Sequence, residues 1–165
     1  MADIDPEKLP YRPCVGVMII NGSGHIWAGR RLDNPGDAWQ MPQGGIDPGE
    51  DPKAAALREL EEETSIPASA VTIIAETSGW VDYDLPRDMI GKLWKGRFRG
   101  QTQKWFLMRF NGSDDLVKID TAEPEFSHWA WMEFAPLLDK IVPFKRHVYA
   151  AVWSEFGPLV ETSDA

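Results

Sequence analysis

The sequence predicts an α/β fold in which a mixed β-sheet lies between helical layers. Three observations lead there. Stretches rich in β-branched and aromatic residues stand on both sides of one strongly helical segment, residues 53–63. A second stretch has helical periodicity through Val148, Val152 and Phe156. The chain has 165 residues, 43% hydrophobic and 26% charged, enough for one domain with a proper core. The pattern leaves the strand order open.

Taken in order, residues 1–10 read as a loose arm, 11–156 as one domain and 157–165 as a frayed tail. Residues 11–20 form a strand, with Val15, Val17, Met18, Ile19 and Ile20 apolar. Asn21-Gly22-Ser23-Gly24 turns the chain into a second strand at 25–30. DNPGD at 33–37 is a loop, and 39–41 a short strand before the Gly44-Gly45 loop. After the helix, Pro67 closes the helical region. Residues 71–77 cross the sheet, and 79–86 begin extended and become a loop. Residues 103–110 form a strong strand and 111–124 a polar, acidic loop. Residues 125–131 lead into the last strand, 133–140 form a turn or short helix, and 142–156 the second long helix. There is no internal repeat, low-complexity segment or domain linker.

The helix at 53–63 carries the chemistry. Asp51 can cap it, Pro52 suits the first position, and no Gly or Pro interrupts it. At about 100° per residue Leu57, Leu60 and Thr64 share one face. Glu59, Glu62 and Glu63 share another, and Glu61 points to solvent. Arg58 lies one turn before Glu62 and can pair with it. Each like-charged pair at ~4 Å costs roughly 4 kcal/mol at an effective dielectric of ~20. A divalent cation reverses the sign, and hard oxygen ligands suit Mg²⁺ or Mn²⁺. Taken alone, the same run also reads as a solvated acidic face.

The loop before the helix decides between them. Gly44, Glu50, Arg58, Glu59, Leu60, Glu62, Glu63 and Ile66 stand at the spacings of the pattern G-x5-E-x7-R-E-U-x-E-E-x-G-U, U being a bulky apolar residue. The chain thereby resembles the Nudix hydrolases. It departs once, with Ser65 where the pattern has Gly; a left-handed exit there costs Ser on the order of 1 kcal/mol. The resemblance implies an α/β/α sandwich with a central mixed sheet, and Mg²⁺-dependent pyrophosphate chemistry in which Mn²⁺ can substitute. Further blocks, among them YRPCVGV (11–17), WQMPQGGIDPGE (39–50), EPEFSHWAW (123–131) and VPFKRHVY (142–149), resemble the bacterial RNA pyrophosphohydrolase and asymmetric dinucleoside tetraphosphate hydrolase subgroup.

Carried over residue by residue, the resemblance implies metal ligation by Glu59, Glu62, Glu63 and Glu125, with a carbonyl near Gly44 and Gly45. Arg58 belongs with the catalytic set. Arg12, Gln43, Gln103, Lys104 and Lys145 look like phosphate contacts, and Arg31, Tyr83 and Phe144 like grips on a base. Cations neutralise polyphosphate, and rings or guanidinium planes stack on bases. Plainer readings stand beside these: Phe144 as core, Tyr83 as cover for a sheet edge, Arg12 as surface. The three histidines lack metal-ligand spacing. Either Glu59 or Glu125 would accept the proton of the attacking water. The implied substrates are 5′-triphosphate RNA ends, dinucleoside polyphosphates, or both. The alternatives are hydrolysis of other nucleoside diphosphate-linked metabolites and a non-catalytic nucleotide-binding regulator, which would commonly lack a motif carboxylate.

Charge and composition bound the partners. A net charge of −9 argues against non-specific binding to duplex DNA, which rests on phosphate neutralisation. Within it, residues 89–113 hold Lys92, Lys95, Arg97, Arg99, Lys104 and Arg109 and no acid. No 18-residue apolar run or signal peptide is present, and the one cysteine, Cys14, reads as core. A reducing cytoplasm is therefore the expected setting.

Overall fold

β1 (Tyr11–Ile20) is the spine of the sheet. It pairs in parallel with β7 (Gly100–Phe110) and antiparallel with β2 (Ile26–Arg31) and β4 (Gln43–Gly45). β2 in turn carries β3 (Trp39–Gln40) and β8 (Phe126–Met132), and β7 carries β5 (Val71–Glu76) and β6 (Val81–Asp84), all antiparallel. The computed structural model describes residues 8–33, 36–90, 92 and 96–162, the side chains of 161 and 162 aside. Most of the N-terminal arm, Lys95 of the basic segment and the last three residues of the tail fall outside the described residues.

Period-2 alternation explains how one strand serves two layers. Val15, Val17 and Ile19 face α1 (Pro52–Thr64), where they meet Ala55, Ala56 and Leu60. Met18 and Ile20 face the other way, towards α2 (Phe134–Lys140) and α3 (Arg146–Thr162), in a cluster with Leu137, Val148, Tyr149, Val152 and Phe156. β7 divides likewise, with Phe106 and Met108 towards α1 and Trp105 and Leu107 towards α3. The sheet is mixed and lies between helices, the expected α/β/α sandwich. At Gly16 a Cβ would land 2.3 Å from the Trp105 ring, so the bare backbone is what lets that ring lie flat on the spine.

Three elements differ from expectation. Residues 43–45 form a strand rather than a loop, because two glycines let this segment run close beside β1. β7 begins at Gly100, three residues earlier than the apolar run suggests. The tail expected from residue 157 is instead helical to Thr162, despite Pro158 inside it. Phe156 and Val160 are 1% and 4% exposed, and this burial outweighs the backbone bond that Pro158 removes. Among the described residues no helix is long and apolar enough to cross a membrane.

Both ends of α1 are defined locally. Asp51 accepts from the amide of Ala54 at 3.3 Å, as its capping position predicts. Ser65 takes the left-handed conformation, φ 67°, and its amide donates to the carbonyl of Glu61. Its hydroxyl donates to the carbonyl of Lys118 at 2.9 Å, which the glycine of the family pattern could not do. Ser65→Ala keeps the backbone cost and loses that bond, so it should lower unfolding stability by about 0.5–1.5 kcal/mol. Ser65→Gly loses the bond but removes the backbone cost, and should stay within about 0.5 kcal/mol of wild type. Urea unfolding of the two variants checks the pair.

Candidate active site

The C-terminal half of α1 faces a cavity of about 950 Å³. Elements from most of the chain wall it. α1 brings Glu59, Glu62 and Glu63, β4 brings Gln43 and Gly44, and β1 brings Arg12. The end of β2 adds Arg31, the loop before β8 adds Glu125, β6 adds Tyr83, and the 3₁₀ turn before α3 (Pro143–Lys145) adds Phe144 and Lys145. Thus eleven of the residues singled out from sequence meet in one space: carboxylates, cations and rings together.

Arg58 organises the acidic wall without lining the cavity. Its Nε and Nη2 donate to the two oxygens of Glu50 at 2.8 and 2.9 Å, a bidentate grip. Nη2 also donates to the carbonyl of Gly45 at 2.9 Å, and Nη1 to Glu59 at 2.9 Å and Glu62 at 3.2 Å. The expected pairing of Arg58 with Glu62 is therefore one arm of a larger clamp joining loop and helix. The guanidinium holds the Glu50 carboxyl down to about 2.

The three helix carboxylates have unlike surroundings. Glu62 is exposed, Glu59 is partly buried over Gly44, and Glu63 is buried at 6% exposure. Glu63 Oε2 accepts from the amide of Gln43 at 3.0 Å. Burial, then the charges of Glu59 and Glu125, raise the Glu63 carboxyl well above the usual glutamate range. Burial also raises Glu59, against the pull of Arg58. Partial removal from water, then the charge of Asp33, raises Glu125. Among the described residues no three carboxylates converge as a ready-made metal shell. Arg58 draws Glu59 and Glu62 to itself, while Glu63 turns to the Gln43 amide. The donor set still suits a hard divalent cation: four carboxylates line one cavity, and Glu63 is buried without an ion pair to any described basic side chain. Glu61, expected to face solvent, is exposed but also reaches the rim.

Of the phosphate candidates, Arg12 packs over Gly45, where a Cβ would lie 2.6 Å from its Nη2. Lys145 is 6% exposed beneath Tyr83 and Phe144, its nitrogen 5.5 and 6.0 Å from their ring centres. Burial, then the charge of Arg31, lowers its ammonium to about 8. Gln103 does not line the cavity. It sits behind the wall, donating to Gln43 at 3.4 Å and to Gln101 at 2.7 Å. Lys104 corrects the expectation of a phosphate contact. Alternation on β7 turns it to the opposite face, where it donates to the carbonyl of Thr77 and pairs with Glu76 at 3.7 Å.

Among the base candidates, Arg31 is held by Asp33 at 2.6 and 2.9 Å, and Phe144 packs 5.7 Å from Tyr83. Tyr83, at 3% exposure, forms wall beneath Phe144 rather than a free platform. Sequence reasoning missed Gln40, Gln101, Asp33 and Thr121 as lining residues. Asp33 carried a signal, two residues from Arg31; Gln101 carried another, on the same strand face as Gln103.

Residues 10–152 match the NUDIX domain family. The chain therefore belongs to the Nudix hydrolases, enzymes acting on pyrophosphate bonds. It is 59% identical over 149 residues to an RNA pyrophosphohydrolase of Roseobacter denitrificans, covering 90% of this chain and 93% of that one. It is 56% identical over 155 residues to an RNA pyrophosphohydrolase of Cereibacter sphaeroides, covering 94% and 96%. The fold is shared with a C. elegans Ap4A hydrolase in a binary complex: TM-score 0.65, 22% identity, 89% of this chain and 98% of that chain.

Two outcomes are expected from this geometry. In metal-free buffer, Glu63 binds more protons in the folded state than in the unfolded state at pH above the ordinary value of 4.5. Its contribution to stability is therefore highest below that value and falls as pH rises through the raised one. Glu50 acts in a separate window: its stabilisation is full above 4.5 and is lost as pH falls towards about 2. Calorimetric Tm against pH should show both limbs, and Glu63→Gln should flatten only the upper one. Separately, a Cβ at Gly44 would lie 2.0 Å from the carboxyl carbon of Glu59, a flexible side-chain end. Gly44→Ala should keep Tm within a few degrees while turnover of a triphosphate substrate falls roughly a hundredfold, read in parallel melting and kinetic assays.

Proposed function

We propose that this chain removes pyrophosphate from the 5′-triphosphate end of RNA, with Mg²⁺ as cofactor and Mn²⁺ as a working substitute. One observation carries the reading. A single cavity joins an acidic wall of Glu59, Glu62, Glu63 and Glu125 to Arg12, Arg31, Lys145 and the Phe144 ring. A polyphosphate needs cations along its length, and a terminal base needs a ring or guanidinium plane. The relatives named RNA pyrophosphohydrolase, at 56–59% identity over most of the chain, support it. A cytoplasmic setting fits the buried, free thiol of Cys14.

Each residue has a task. Glu59, Glu62, Glu63 and Glu125 would hold the divalent cation, with Gly44 beside them. The cation supplies neutralisation of the phosphate oxygens and a lowered pKa for water. Arg12 and Lys145 bind the phosphates, and Gln43 lines their path with Gln103 behind it. Arg31 and Phe144 hold the base, with Tyr83 supporting Phe144. Arg58 keeps Glu59 and the Gly45 carbonyl in register and is a positioning residue. Glu125 takes the proton of the attacking water in preference to Glu59, because Arg58 already engages an oxygen of Glu59.

Dinucleoside polyphosphates are the second reading, since they bring the same phosphate chain and a second base to the same cavity. Hydrolysis of other nucleoside diphosphate-linked metabolites fits the flanking sequence less well. A non-catalytic regulator fits less well still, because every motif carboxylate is present. In a competition assay with Mg²⁺, 5′-triphosphate RNA should exceed diadenosine tetraphosphate in kcat/KM; the reverse order would move the second reading to first. Glu62→Gln should lower kcat by about two orders of magnitude or more with Tm little changed, because this side chain is exposed. Near-wild-type turnover in that variant would rule out the scheme.

A further inference from the structure

Among the described residues four buried side-chain polar atoms lack a hydrogen-bond partner, and two of them belong to residues lining the cavity: Gln40 Oε1 and Thr121 Oγ1. Of the others, Arg30 Nε lies 3.4 Å from Asp37 Oδ1, and Trp27 Nε1 is in the core facing α1. A buried polar atom left unpaired destabilises a fold, so such atoms are uncommon unless a bound partner completes them. Gln40 is 6% exposed. It pairs across the sheet with Gly29, and Phe126, next to Glu125, fills the space over that glycine. Three residues on, Gln43 holds Glu63. Gln40 thus lines the same cavity as Glu63 of α1 and Glu125 before β8.

The chemistry of the missing partner follows from what the oxygen can accept. Phosphate oxygens and carboxylates are acceptors and cannot satisfy it. A water molecule can. We propose that Gln40 is a further residue of the hydrolytic site, holding the attacking water beside Glu125, with Thr121 as a second contact. This rests on the cavity being the site of pyrophosphate hydrolysis. Oε1 is closed off in the structure, and a half-turn about the Cγ–Cδ bond exchanges its place with that of the amide nitrogen. In the step itself, the water oxygen bonds phosphorus and the P–O bridge bond breaks, leaving its electron pair on the departing phosphate oxygen. One water proton passes to Glu125. The second stays in a hydrogen bond to Gln40 Oε1, which fixes the direction of the oxygen lone pair.

The test uses Gln40→Met, close in size but without the acceptor, and Thr121→Val, which removes only the hydroxyl. Both are assayed on a 5′-triphosphorylated trinucleotide RNA with Mg²⁺, alongside thermal melting. Gln40→Met should lower kcat about tenfold to a hundredfold, leave KM within about twofold, and raise Tm by roughly 2–4 °C as the unpaired buried oxygen disappears. Thr121→Val should shift kcat and Tm in the same directions by less. Slower turnover in a protein that melts no earlier than wild type is a combination that a purely structural glutamine does not produce. Unchanged kcat in Gln40→Met would overturn the proposal. So would a raised KM at normal kcat, which marks a base or phosphate contact, and so would a lowered Tm alongside the lost activity. If wild type itself hydrolyses neither RNA triphosphate nor diadenosine tetraphosphate, the proposed function has failed instead.

Discussion

The arrangement of this site depends on one guanidinium. Arg58 stands amid acids that would otherwise repel one another and gives each a direction. Its two-point grip on Glu50 and its bond to the Gly45 carbonyl fasten the glycine loop to α1. Its remaining donor reaches Glu59 and Glu62. Lysine could supply the charge but not five donors in a plane. The clamp also explains why the carboxylates share a wall without closing into a shell. Arg58 competes for the oxygens that a divalent cation would need, so occupying the site exchanges one positive partner for another.

The rest of the fold sets the distance between that acidic wall and the cations facing it. β1 carries Arg12 at its start and the two-sided core along its length, so the strand that anchors the sheet also brings a cation to the cavity. β4 lies against β1 and presents Gln43 and Gly44 beneath α1. β6 and the turn before α3 close the opposite side with Tyr83, Phe144 and Lys145, packed against one another. Burying Lys145 under two rings lowers its ammonium to about 8, a cost that an incoming phosphate group would offset.

Much of the site was legible because its residues sit on short stretches with fixed local geometry. On α1 the 3.6-residue repeat put Glu59, Glu62 and Glu63 on one flank, and all three meet the cavity. Lys104 shows the limit of reasoning by resemblance, since neighbouring residues on a strand point to opposite faces. Gln103 and Lys104 could not both have faced the cavity side of β7, and alternation alone would have removed one. Gln40 and Thr121 gave no signal of any kind. An amide and a hydroxyl become notable only when the surrounding packing leaves them buried and unpaired.

Spacing along single segments was enough to read the helix, its cap at Asp51, the acidic flank, the α/β class and the family. Tertiary structure decided which carboxylate is buried, what Arg58 holds, that α3 runs past Pro158, and that Phe144 and Lys145 come within reach of Arg31 and Glu63. Those facts depend on how strands and helices far apart in the chain come to line the same cavity, and no local repeat encodes that.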